Sequence, residues 1–120
     1  DINIRARIEA QRTKINEIMA TLFDEVDFVI TATNPDIAFG HKGPMPTSVD
    51  GIDAPLGNNG ALTIPANIYG NPGISIPIGT SRELPVGMQV LAPHHREAWL
   101  LDLALHAERE RPWPLVAPGV

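Results

Sequence analysis

Apolar residues recur at Ile4, Ile8, Ile15, Ile18 and Leu22, in steps of four, seven, three and four, with Arg, Glu, Gln and Lys between them. This 3.6-residue period predicts an amphipathic helix over roughly residues 3–24, with Arg5, Arg7 and Arg12 on its solvated face. The pattern changes after "FDEVD" to "FVITA", Phe28 to Ala32, a β-branched apolar run that predicts a strand buried on both faces. Residues 33–60 show no sustained period and are rich in Gly, Pro, Asn and Asp, so they predict a long loop.

Period and punctuation return at "ALTIPANIYG". Asn58 or Asn59 could cap a short helix, Pro65 falls in its first turn where a missing N–H costs little, and Gly70 is placed to end it. "GISIPIG" then predicts a strand, with Pro77 putting it at a sheet edge or at its own end. "SRELP" predicts a turn and Val86–Ala92 a second strand antiparallel to the first. A helix follows over about residues 95–110. Ala98, Leu101, Ala104 and Leu105 share one of its faces, and Trp99, Leu100 and Leu103 widen that face beyond a stripe. Two long helices and three clear strands make an α/β unit. "FVITA" and the last helix are apolar on more sides than this chain covers, so the unit reads as part of a larger mixed sheet.

Composition narrows the function. The chain is 43% hydrophobic and 19% charged, the balance of a domain with a core. A net charge of −5 with nine Lys and Arg argues against nucleic-acid binding, which needs clustered cations. The absence of cysteine excludes disulfides and thiolate chemistry and fits a reducing, cytoplasmic compartment. No apolar run is long enough to span a membrane.

Candidate chemistry is thin. Of the four histidines, His94 and His95 are adjacent and diverge by about 100° on a helix, and His41 and His106 have no partner at metal-ligand spacing. They read as surface or capping residues, and no metal site is expected. Ser75 lacks the flanking glycines of a nucleophile elbow, and Lys42 as a base for Ser48 has no support in spacing. "GNNG" and "GNPG" lack the lysine and the strand–helix context of a phosphate loop.

The segment "LTIPANIYGNPGISIPIGTSRELPVGMQ" resembles the C-terminal end of the amidase signature family. The positions that carry the resemblance are Thr63, Pro65, Asn67, Gly70, Pro72, Ser75, Pro77, Gly79, Leu84, Pro85, Gly87 and Gln89. Upstream, "FDEVDFVITATNPDIAF" is similar to another passage of that family, with Ala32 where Pro is usual. The resemblance implies an α/β fold in which residues 1–120 are the C-terminal segment of one larger domain, a mixed sheet flanked by helices. It implies hydrolysis of carboxylic amides by a Ser nucleophile, a second Ser in cis conformation and a Lys base. All three would lie N-terminal to this chain, so no catalytic residue is expected here. No cofactor is implied. The partners implied are the N-terminal remainder of the amidase, in the same precursor or as a second chain, and a small-molecule amide; a homodimer is compatible.

The resemblance also offers Phe39, Asn59, Thr63 and Asn67 as substrate-pocket residues, with the alternative that Thr63 and Asn67 only cap and brace the turn. Glutamine-using amidotransferases of the family generally carry an acid three positions before the Thr; here that position is Gly60, which favours a general or lipophilic-amide hydrolase. A non-catalytic binding module on the same scaffold is the alternative function.

Overall fold

The structure is a computed structural model that describes residues 1–54, 60–114 and 116. In chain order it contains α1 (Ile2–Glu25), β1 (Val29–Ala32), β2 (Ser48–Val49), β3 (Ile52–Asp53), α2 (Ile64–Tyr69), β4 (Gly73–Ser81), β5 (Leu84–Leu91) and α3 (Glu97–Glu110). The fold is mixed α/β. β5 is the centre of a three-stranded sheet of order β1-β5-β4, and both pairings are antiparallel. The expected long loop is interrupted by a small hairpin, in which β2 pairs with β3. Its tight turn places Asp50 and Gly51 at φ 51° and 75°, a conformation that Asp and Gly accept more readily than most residues.

β4 and β5 form the hairpin expected around "SRELP", closed by Arg82 and Glu83 at φ 50° and 66°. Both central residues at positive φ match the right-handed twist of the flanking strands. Pro77 does lie on an edge strand, and the register slips between Pro77 and Gly79, where Ile78 is squeezed out of the ladder.

The register divides the sheet into two faces. Ile30, Val90 and Ile74 face one way, as do Ala32, Met88 and Ile76, because side chains alternate along each strand. On this face α3 contributes Leu100, Leu103, Ala104 and Ala107 to a core with Ile76, Val90 and Ala92. The buried face of α3 is therefore turned by about 100° from the one expected, since successive residues are that far apart around a helix. Leu100 is buried, whereas Leu101 and Leu105 are exposed. Trp99 fixes the rotation: it meets Phe28 edge-on at 6.0 Å and lies beneath the Arg96 guanidinium at 4.4 Å.

The opposite face begins with Val29 and Leu91, covered by α1 and α2. Met19 and Ala66 are buried there, with Ile15, Leu22, Phe23 and Tyr69 around them. The expected stripe of α1 is correct at Ile15 and Leu22 but not at Ile18, which is 56% exposed while its neighbour Met19 is buried, so the packed face is turned towards Met19 and Phe23. Ile4 and Ile8 also remain exposed, and for them the reason is length. α1 has 24 residues and α2 only six, so at about 1.5 Å per residue α2 covers only part of α1. Nor is β1 buried on both faces, because it is a sheet edge in this chain and Ile30 on it is 60% exposed.

α2 starts at Ile64 rather than near Asn58, with Thr63 as its N-cap residue and Pro65 in its first turn. Gly70 ends it in the left-handed conformation, φ 87° and ψ 25°, and its N–H reaches the Ala66 carbonyl at 2.7 Å. A Cβ there would meet only His94 Nε2, at an ordinary 3.7 Å, so space is not the constraint. Gly70→Ala is expected to cost about 1–2 kcal/mol through backbone conformation alone, measured as a shift in the urea midpoint. Gly70→Asn should cost less, since Asn tolerates this conformation.

Candidate functional site

The second row of the α1/α2 face is polar. Thr31, Gln89 and Ser75 stand opposite one another across the three strands, and Thr33, Gly87 and Pro77 form the next row. A sheet face that turns from apolar to polar along its strands has stopped serving a dry core there.

The two rows are hydrogen-bonded. Gln89 is buried, and its Nε2 donates to Thr31 Oγ1 at 3.0 Å and to the Leu62 carbonyl at 2.8 Å. The Thr31 hydroxyl donates to the Ala32 carbonyl at 2.9 Å. Thr33 Oγ1 and Ser75 Oγ meet at 2.6 Å, directly over Gly87. They can do so only because residue 87 has no side chain: a Cβ there would fall 2.4 Å from Ser75 Oγ and 2.7 Å from Thr33 Oγ1. An open groove of about 690 Å³ lies at the end of β1, lined by Ile30–Ala38, Ile78 and Pro85–Met88; Ser75, Gln89 and α2 do not line it.

α2 is fastened over the same sheet at both ends. Gln89 holds its entry through Leu62. At its exit, His94 Nε2 bonds the Tyr69 carbonyl at 2.9 Å while its ring packs on Tyr69 at 4.4 Å. A carbonyl only accepts, so Nε2 carries the proton. Asn71 Nδ2 donates to the Ala92 carbonyl at 2.9 Å, and the Ala92 N–H returns a bond to Pro72 at 3.1 Å. His94 is thus a capping residue, as expected from the sequence. His106 also has a local partner, the Asp102 carbonyl one turn earlier, at 2.8 Å.

Of the expected pocket residues, Thr63 lies nearest this network. Its hydroxyl donates to the Gly60 carbonyl at 3.1 Å, and its N–H bonds the same carbonyl at 3.0 Å. Asn67 lies one turn further along α2 and is exposed. Phe39 is 46% exposed, just beyond Ala38 at the groove's end. No hydrogen bond or apolar cluster among the described residues joins it to α2. Asn59 lies outside the described residues, as does Asn58. Ser48 and Lys42 share no hydrogen bond among the described residues, and Ser48 is a strand residue paired with Asp53. Sequence reasoning does not single out Gln89, Thr31, Thr33 and Ser75 as one site. Their alternate spacing is visible in the chain, but only strand register puts them side by side.

A gap at Gly60 would not by itself keep an acid out. A Cβ there meets the flexible Ile64 side chain at 3.3 Å, a contact that a small rotation relieves.

The family model described as Amidase matches residues 2–101. The chain belongs to the amidase family. It is 36% identical over 117 residues to a glutamyl-tRNA(Gln) amidotransferase subunit of Chromohalobacter salexigens, covering 93% of this chain and 22% of that protein. The corresponding protein of Salinispora tropica is 42% identical over 84 residues, covering 68% of this chain and 16% of that protein. Among solved structures, a bacterial aryl acylamidase of the amidase signature enzymes superposes with a TM-score of 0.76 at 26% identity, covering 94% of this chain and 24% of that one. The glutamyl-tRNA(Gln) amidotransferase subunit from Thermotoga maritima superposes at 0.67 and 32% identity, covering 85% and 21%. This amidase-family chain therefore spans about a fifth of the length of the relatives it matches. Among its described residues no helix is long and apolar enough to cross a membrane.

Proposed function

We propose that the chain is the C-terminal portion of an amide hydrolase, supplying sheet and pocket wall to a domain whose catalytic residues lie elsewhere. The observation that carries this is how its hydroxyls are used. Thr33 and Ser75 bond each other, Thr31 bonds the Ala32 carbonyl and Thr63 the Gly60 carbonyl. None of these hydroxyls is hydrogen-bonded to a Lys, His or carboxylate among the described residues, the partner an activated nucleophile requires. Their arrangement is that of a polar floor beside α2, not of a reaction centre. The exposed Ile4 and Ile8 of α1 and the open edge at Ile30 give the rest of the domain apolar surface to cover.

In this reading a Ser nucleophile outside the chain attacks the amide carbonyl, and a Lys, acting with a second Ser, takes its proton. Backbone N–H groups hold the oxyanion, the amine leaves, and water releases the acid. Thr63, Asn67 and Phe39 contribute wall rather than chemistry. The substrate is a small carboxylic amide.

The test is active-site labelling of the protein expressed from its full reading frame. A fluorophosphonate is expected to abolish hydrolysis of an N-acyl-4-nitroaniline and to modify a peptide outside residues 1–120. A label on Ser48, Ser75 or Ser81 would sink the proposal.

A second reading, a glutamyl-tRNA(Gln) amidotransferase subunit, is favoured by the identity of 36% to that protein in Chromohalobacter salexigens. Release of ammonia from glutamine, with no hydrolysis of the aryl amide, would select it over the first.

A further inference from the structure

Gln89 stands at the centre of the polar row, with only 6% of its surface exposed, on the middle strand of the sheet. Its amide nitrogen has two hydrogens and two acceptors for them, Thr31 Oγ1 on β1 and the Leu62 carbonyl ahead of α2. Thr31 has committed its own proton to the Ala32 carbonyl, which leaves its oxygen free to accept. The Leu62 carbonyl accepts only, so the nitrogen end of Gln89 has to point at the entry of α2. Buried, doubly used and without freedom to flip, this amide sets the distance between the sheet and Leu62.

Leu62 is the residue before Thr63, within the turn closed by the Thr63 bonds to Gly60. The exit of α2 is held independently, through His94 and Asn71. Loss of the Gln89 bonds leaves α2 held by its exit and by the packing of Ala66 and Tyr69 against α1, but takes the pin from its entry. The unpinned turn is the one that carries Thr63.

We propose that Gln89 is a positioning residue for substrate binding. By pinning Leu62 it fixes the wall formed by Thr63 and Asn67, and it thereby sets affinity for the part of the amide that lies against this wall, without touching the bond that breaks. The proposal rests on the reading of the chain as part of an amide hydrolase.

The experiment uses the protein from its full reading frame, assayed on 4-nitroanilides with acetyl and with bulky acyl groups. Gln89→Met keeps length and volume and removes both donors. It is expected to raise KM for the bulky anilide about tenfold with kcat held within about twofold, the signature of lost binding common to ground and transition states. Its effect on the acetyl substrate should be smaller. Thr31→Val removes one acceptor and leaves the Leu62 bond, and should raise KM about threefold in the same direction. If Gln89→Met does not yield folded protein, Thr31→Val decides the question by itself. A fall in kcat that tracks the titre of active sites, with KM unchanged, would show a merely structural role and overturn the inference. So would unchanged kinetics in both variants. An unsubstituted protein that hydrolyses neither anilide would overturn the hydrolase reading and this inference with it.

Discussion

Leu100→Ala is expected to destabilise the protein by about 2–5 kcal/mol, the range for deleting a fully buried leucine. Leu100 is 3% exposed and lies between Ile76, Val90 and Ala92, in the layer that joins α3 to the sheet. Its removal takes away apolar contacts on every side, and the strands beneath are too constrained by their ladders to collapse into the space. The loss should appear as a lower urea midpoint with little change in slope, because the surface exposed on unfolding is almost the same. Leu100→Met, which roughly conserves volume, should cost less than about 1.5 kcal/mol. If Leu100→Ala costs no more than Leu100→Met, the rotation assigned to α3 is wrong.

Gly87→Ala is the second large effect, and it acts by overpacking. The backbone at Gly87 needs no special conformation, so the cost comes from the added methyl meeting Ser75 Oγ and Thr33 Oγ1. A clash of this kind costs about 1–3 kcal/mol, and more where the neighbours cannot move. The nearest atoms are hydroxyls that can rotate aside only by giving up their bond to each other, so a cost within this range is expected. The clash should separate the hydroxyl pair and open the strap between β1 and β4. Ser75→Ala alone loses one hydrogen bond, worth about 1 kcal/mol. In the double variant the nearest contact is gone while the contact to Thr33 remains. The double variant should then be less destabilised than the sum of the two singles, with a coupling of about 0.5–3 kcal/mol. Simple additivity in urea denaturation would show that Ser75 and residue 87 do not meet.

Much of the fold is legible in the sequence because local rules act within a few residues. The period of α1, the β4–β5 hairpin, Gly70 at the end of α2 and Pro77 at a sheet edge all follow from spacing, turn chemistry or a missing N–H. What spacing does not supply is the identity of the neighbour. The last helix offers apolar residues around much of its circumference, so either of two faces would satisfy its pattern. Phe28 against Trp99, together with the ridge of Ile76 and Val90, selects the one that contains Leu100. The stripe of α1 is only partly the buried face: Met19 takes the place of Ile18, and burial fades towards Ile8 and Ile4, beyond the reach of the short α2. Asn58 and Asn59 have the right chemistry for a cap, but Thr63 holds that position next to Ile64. The hairpin at Ser48–Asp53 leaves no trace in the pattern because strands of two residues are too short to show a period.

The sequence by itself determined the family, through Thr63 to Gln89 in fixed order, and determined most of the helices, strands and turns. It did so because these depend on side-chain volume, backbone freedom and capping within one or two turns. Only the tertiary structure decided that residues 31, 33, 75, 87 and 89 make one polar floor. That floor joins positions up to 58 residues apart, as Thr31 is from Gln89. Such a juxtaposition is set by strand order and register, which follow from burying the opposite face of the sheet against α3 and not from any local preference of the residues that form the floor.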